Sequence, residues 1–222
     1  MMHTTGHDGD GWAAGPGGTT RWGRYGAAGL LLVVPVDTAP HHPAPDRREP
    51  LVLLQHRSPH TASGDTWGLP GGARNSDEDV IAAALRETEE ETGIHPADVT
   101  VHTTLQTAGP YPADPHRPEL AANWTYTVVI ATAATALPTV ANEESLALSW
   151  IPLSQVPHRN LLPAFRESWP QLLQILTEIC ADSSGCLPVN KLLADPAVPA
   201  EYESATPPLE RINSHRPTFM EH

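Results

Sequence analysis

Apolar residues along the chain gather into short blocks, and the blocks alternate with stretches rich in Gly and Pro. From Gly26 to Val36 the run GAAGLLLVVPV is short, apolar and closed by a turn-prone segment, which predicts a buried strand. A second run, LVLLQHR at 51–57, follows a Pro-rich connection, and the pair predicts a hairpin. VTVHTTLQT at 99–107 and WTYTVVIAT at 124–132 read as two more strands. In the latter, Trp124, Tyr126, Val128 and Ile130 alternate with Thr125, Thr127 and Val129. LALSWIP at 146–152 predicts a last strand. Between these runs, Ser76 to Thr92 predicts a helix: Ser76 is placed to cap it, acidic residues fill the first turn, and Gly93 suits a left-handed C-terminus. From Leu161 to Cys180, Phe165, Trp169, Leu172, Leu173, Ile175 and Leu176 recur at helical spacing, with Pro170 as a point of kinking. Strands interleaved with helices predict an α/β fold. Residues 1–20 carry no apolar period and predict a flexible extension, and from Ala181 onward the chain reads as a Pro-rich tail.

Composition narrows the candidate chemistry. The chain has 222 residues, enough for one sizeable core, but 24 Pro and 16 Gly assign much of it to loops. The formal net charge of −13, with basic residues scattered, argues against duplex nucleic acid, whose binders need a basic stripe. A small phosphorylated ligand stays open, because a divalent cation inverts the local field. Cys180 and Cys186, with no His at ligand spacing, read as free thiols. His41 and His42 lack a third partner and read as solvated. The N-terminus lacks a signal-peptide pattern and the longest apolar run is too short to span a bilayer, so the expectation is a soluble, cytoplasmic protein with no membrane partner.

The informative stretch is Gly71 to Ile94. Glu87, Glu90 and Glu91 stand at i, i+3 and i+4 of the expected helix, so they share one face within a turn. Like charges so close destabilise a bare helix, and no Lys or Arg follows Arg86 to interleave them. Clustered carboxylates without a cation in reach suggest a hard divalent ion bound through oxygen, Mg2+ or Mn2+. Arg86 lies eight residues, about two turns, beyond Glu78, a spacing that fits either a pair along the helix or a tie from the helix to the loop before it, and in both cases holds that face still. Gly71 and Gly72 let the backbone pass close to a ligand and offer a carbonyl oxygen.

Gly72, Glu78, Arg86, Glu87, Glu90, Glu91, Gly93 and Ile94 together match the Nudix box, G-x5-E-x7-R-E-U-x-E-E-x-G-U, with U a bulky aliphatic. Seven fixed positions recur by chance in such a chain about once in a million. Thr88 departs from the pattern, at a place that normally carries an aliphatic side chain. The lead-in WGLPGG at 67–72 resembles MutT-like members. The resemblance implies a Nudix-type α/β/α sandwich with a mixed β-sheet over residues 21–180. It also implies Mg2+-dependent cleavage of a phosphoanhydride, in a nucleoside diphosphate linked to another group. Glu90 and Glu91 would be metal ligands, Glu87 a ligand or the group orienting water, and the Gly71 carbonyl a further ligand. A loop carboxylate before the last strand, Glu144 in preference to Glu143, would be ligand or general base. Arg57 would reach substrate phosphates, Tyr111 would stack on a base, and Trp67 is either a stacking platform or core packing. Gly72, Glu78, Arg86 and Gly93 would be structural support. Family members are often dimers, so a homodimer is open.

The box leaves the substrate open. No coenzyme A pattern precedes it, and Gly109–Pro110 stands near the place of an ADP-ribose signature but in the wrong order. The lead-in favours a nucleoside triphosphate, including oxidised ones, cut to monophosphate and pyrophosphate. ADP-ribose or diadenosine polyphosphate remains the alternative, and a non-catalytic nucleotide-binding module is the alternative of another class.

Overall fold

A computed structural model describes residues 8–36, 49–61 and 63–182. The strands are β1 (Trp12–Ala14), β2 (Thr20–Trp22), β3 (Ala27–Val34), β4 (Leu51–Arg57), β5 (Trp67–Gly68), β6 (Gly71–Ala73), β7 (Thr100–Tyr111), β8 (Trp124–Thr132) and β9 (Ser145–Pro152), and the helices are α1 (Val80–Thr92) and α2 (Pro163–Asp182). Strands β3 to β9 form one mixed sheet, and β1 pairs with β2 in a separate hairpin. The Pro-rich tail beyond residue 182, His41, His42 and Cys186 lie outside the described residues.

β3 is the hub. It runs parallel to β8, from Ala27 opposite Tyr126 to Val33 opposite Thr132. Its apolar run is explained by burial on both faces: Leu31 and Val33 face one core, Leu30, Leu32 and Val34 the other. Phe165, Trp169, Leu172 and Leu176 of α2 close the first core, and Ala83 and Ala84 of α1 with Ile94 close the second. The result is the expected α/β/α sandwich.

The expected hairpin forms only at its root. β3 and β4 pair at Val33–Val52 and Val34–Leu51 and then part. Beyond that point β6 takes the edge of β3, while β5 and β9 take the two edges of β4. The sheet therefore splits, and the split holds the candidate site.

Three expectations are corrected. Helix α1 starts at Val80 and has no acidic residue in its first turn; its N-cap is Asp79, whose carboxylate accepts from the amides of Ile81 and Ala82 (2.9 and 2.8 Å). Ser76 is not free to cap, because Asp8 accepts from its amide and its hydroxyl (2.9 and 2.5 Å). Residues 8–20 are likewise not a free extension. Trp12 and Trp22 meet edge to face at 5.1 Å across the β1–β2 hairpin, Ala13 and Ala14 are buried, and the Ala14 amide donates to Ala121 (2.8 Å). Finally, β7 extends past 107 to Tyr111, which pairs with Trp124 through register shifts on the way.

Candidate active site

Glu91 sits at the split. Its side chain is buried, its Oε2 accepts from the Gly71 amide (2.8 Å), and it is hydrogen-bonded to Gln55. It thus bridges β6, on the edge of β3, and β4. Burial pushes its pKa up to about 7; the hydrogen bonds from Gly71 and Gln55 oppose the rise, and the charges of Glu87 and Glu144 add to it. Glu87 lies beside it for a steric reason: a Cβ on Gly72 would stand 2.5–2.8 Å from the Glu87 carboxylate. Only glycine leaves that room.

Arg86 reaches further than its pairing with Glu78 predicted. Nε and Nη2 donate to the two Glu78 oxygens (2.5 and 3.0 Å), and Nη2 also to the Ala73 carbonyl (2.9 Å). Nη1 donates to Glu87 (2.9 Å) and, one turn on, to Glu90 (3.2 Å). The expectation of carboxylates with no cation in reach is therefore corrected, because a guanidinium spans both sides of its own helix turn. Arg86 holds the Glu78 carboxyl below its usual range, and Glu78 in turn raises Arg86. Glu78 also accepts from the Asn75 amide (3.1 Å), so the pair ties the loop before α1 to the helix. Gly93 ends α1 at φ +74° as expected. Thr88 is fully buried, and its hydroxyl donates to the Ala84 carbonyl (2.7 Å), which spares the core an unpaired group.

The donor chemistry fits a hard divalent cation. A buried carboxylate crowded by two others and supplied with hydrogen bonds only partly is what an oxygen-liganded ion relieves. Among the described residues, no group of three acidic, histidine or cysteine side chains is gathered closely enough to hold a metal ion, so Glu87 and Glu90 would have to leave Arg86 to join Glu91 on one. Glu90 is half exposed and lies on Arg86. Gly71, expected as a carbonyl ligand, touches Glu91 through its amide.

Other expected residues lie at varying reach. Glu144 is exposed on the loop before β9, and its charge acts on Glu91. Arg57 ends β4; burial and then the charge of Glu91 push the Tyr126 hydroxyl up to about 12, and the charge of Arg57 opposes the rise. Trp67 stacks on His56 at 4.6 Å, with Arg159 at 5.7 Å from its ring, and packs on the α2-side core. Tyr111 stacks on Trp124 at 5.9 Å and lines a cleft of about 560 Å3 against the hairpin tip Gly15–Gly18. No helix carboxylate lines that cleft. The sequence assigns Gln55 no role, and Tyr126 none beyond its place in a strand. The signal for Gln55 is a lone polar residue inside the apolar run of β4.

Among the described residues no helix is long and apolar enough to cross a membrane. A family model, the NUDIX domain, matches residues 43–173. The chain is 44% identical to a Mycobacterium tuberculosis protein named "Putative 8-oxo-dGTP diphosphatase 3", over 74% of this chain and 69% of that one. It is 37% identical to a Bifidobacterium longum "Nucleoside triphosphate pyrophosphatase/Nudix hydrolase fusion protein", over 77% of this chain and 32% of the fusion. Among solved structures, a Nudix hydrolase from M. smegmatis, RenU, is 42% identical with a TM-score of 0.66, covering 77% of this chain and 97% of its own. By the family model and by these relatives, the chain belongs to the Nudix family and is a hydrolase of phosphoanhydride bonds.

Proposed function

We propose that the chain is a Mg2+-dependent nucleoside triphosphate pyrophosphohydrolase acting on oxidised purine nucleotides in the cytoplasm, with Mn2+ as a substitute. The observation that carries the chemistry is buried Glu91, held by Gly71 and Gln55 and crowded by Glu87 and Glu144. The substrate class is supported by the name of the M. tuberculosis relative and by the WGLPGG lead-in. Glu87, Glu90, Glu91 and the Gly71 carbonyl would hold the divalent ion, which when bound would supply Lewis acidity and a more acidic water. Glu144 takes the proton of the attacking water. A new P–O bond forms as the bridging P–O bond between the α and β phosphates breaks, giving nucleoside monophosphate and pyrophosphate. Arg57 faces substrate phosphate, and Tyr111 offers its ring to the base.

The test is hydrolysis by purified protein with Mg2+, products resolved by chromatography, over 8-oxo and unmodified nucleoside triphosphates, ADP-ribose and diadenosine polyphosphates. Preferred turnover of an 8-oxo nucleotide, lost in Glu90→Gln and Glu91→Gln, is expected. Preference for ADP-ribose or a diadenosine polyphosphate would replace the substrate reading; nucleotide binding without turnover would replace the catalytic one.

A further inference from the structure

Gln55 enters the proposed function only as a hydrogen-bond partner of Glu91, yet its surroundings are those of a functional group in its own right. It stands on β4 between Leu54 and His56 and is 1% exposed. A buried amide is costly unless its polar atoms are hydrogen-bonded. Its Nε2 donates to the Ser145 hydroxyl (2.8 Å), and the amide is hydrogen-bonded to Glu91. Facing a carboxylate fixes the amide's orientation, because only its NH2 end donates. Its Oε1 is consequently turned away, buried, with no hydrogen-bond partner among the described residues.

The link continues beyond Ser145. The Ser145 hydroxyl lies 3.3 Å from Asn142 Oδ1, which also accepts from the Glu144 amide (3.0 Å). The Ser145 amide donates to the Asn142 carbonyl (3.2 Å), and the Glu144 carbonyl accepts from Ser58, just past the end of β4 (2.8 Å). The Gln55 amide thus lies against the Glu91 carboxylate, and from it hydrogen bonds run through Ser145 and Asn142 to the backbone of Glu144. The two carboxylates come from α1 and from the loop before β9, elements that share no strand pairing. Gln55 reaches both from β4.

We propose that Gln55 is a positioning residue: it sets Glu91 against the Glu144 loop, and its unpaired carbonyl oxygen accepts a hydrogen bond from a water carried in with the cation. This rests on the proposed hydrolase reading, with Glu91 as a ligand and Glu144 as the base. Fixing both carboxylates ahead of substrate acts on the chemical step and little on nucleotide affinity. Methionine fills the volume of glutamine without its hydrogen bonds, so Gln55→Met removes the link and the unpaired oxygen together.

The experiment compares wild type, Gln55→Met, Ser145→Ala, Glu144→Gln and the Gln55→Met/Glu144→Gln double variant. Readouts are kcat, KM, the metal-free Tm, and Mn2+ affinity measured by electron paramagnetic resonance. The expected result for Gln55→Met is a kcat about 30-fold lower, KM within about threefold and Mn2+ affinity about tenfold weaker, at an unchanged or higher Tm. Ser145→Ala should show the same signs with smaller size. In the double variant the two kcat losses should not multiply, because they break one unit. The proposal is overturned if Gln55→Met keeps kcat and Mn2+ affinity within about threefold of wild type, if kcat falls only in step with Tm, or if the losses multiply. A wild-type enzyme that hydrolyses no nucleotide refutes the hydrolase reading instead, and Mn2+ affinity and Tm then still decide the role of Gln55.

Discussion

A methyl group added at Gly72 would separate the demands of the fold from those of the site. The new Cβ would stand 2.5 Å from Glu87 Oε2, 2.6 Å from its Cδ and 2.8 Å from Oε1. Ordinary contact begins near 3.4 Å, so the carboxylate must recede by about 1 Å. The three nearest atoms all belong to the far end of a flexible side chain, so Gly72→Ala should cost under about 1 kcal/mol of stability, a Tm change within about 3 °C. Catalysis has no such slack. A displacement of about 1 Å at a group that binds the ion or orients water lowers kcat about 100-fold, or about 2.7 kcal/mol in the barrier. Gly71→Ala is the control with the opposite profile. There the Cβ would strike the Ala28 carbonyl and stand 2.5 Å from Gly29 Cα, all backbone, at φ +152°. Overpacking and backbone strain of about 2–3 kcal/mol should lower its Tm by roughly 5–10 °C. The assay is initial rate at saturating substrate beside thermal unfolding of both variants. Gly72→Ala with kcat within about threefold of wild type would refute the reasoning, as would a loss of rate that merely follows unfolding.

Arg86→Ala strands partly buried Glu78 and releases Glu87 and Glu90, so it should lower Tm by roughly 5–10 °C, from about 2–3 kcal/mol; Arg86→Lys, which lacks the two-pronged fit, should recover less than half by calorimetry. Glu91, raised from its ordinary 4.5 to about 7, binds its proton more tightly folded than unfolded, so its contribution is complete below about pH 4.5 and lost as pH rises through 7. In chelator, wild-type unfolding free energy should therefore fall across that window relative to Glu91→Gln, by on the order of 3 kcal/mol read from denaturant titrations, and a difference that is flat with pH would refute the assignment. Glu144→Gln should cut kcat by about 100-fold while Glu143→Gln leaves it within about twofold, since only Glu144 acts on Glu91. Deleting residues 1–22 removes the partners of Ser76, Asn75, Ala121 and the Trp124 indole, and should lower Tm by more than about 5 °C in a thermal melt.

What could be read from the sequence followed from local chemistry. Leu30 to Val34 announced a strand buried on both sides because no polar residue interrupts them, and the box placed Glu87, Glu90 and Glu91 on one helical face by spacing alone. What escaped was decided at long range. Ser76 is a good cap by type, yet Asp8, 68 positions away, takes its hydrogen bonds and leaves the helix to Asp79. β1, β2, β5 and β6 are two or three residues long, too short to carry a period, and exist only through the strands they pair with. Arg86 was assigned to Glu78 by distance along the helix, but its other amino group follows a rotamer that no spacing predicts. Gln55 stood in plain view in LVLLQHR, and only the arrival of Glu91 and Ser145 gives it a purpose.

The parallel pairing of β3 with β8 sets a schedule for synthesis. Ala27 lies opposite Tyr126, so 99 further residues must be made before that ladder can begin. At roughly 5–20 residues per second, the LLLVV segment waits about 5–20 seconds with one edge open. Its other edge gains partners sooner, from the start of β4 and then from β6, but only two and three residues of each. The most deeply buried strand of the finished protein thus waits about as long for its main partner as any strand of the sheet, and growth temperature and chaperone supply should weigh heavily on the soluble yield of this chain.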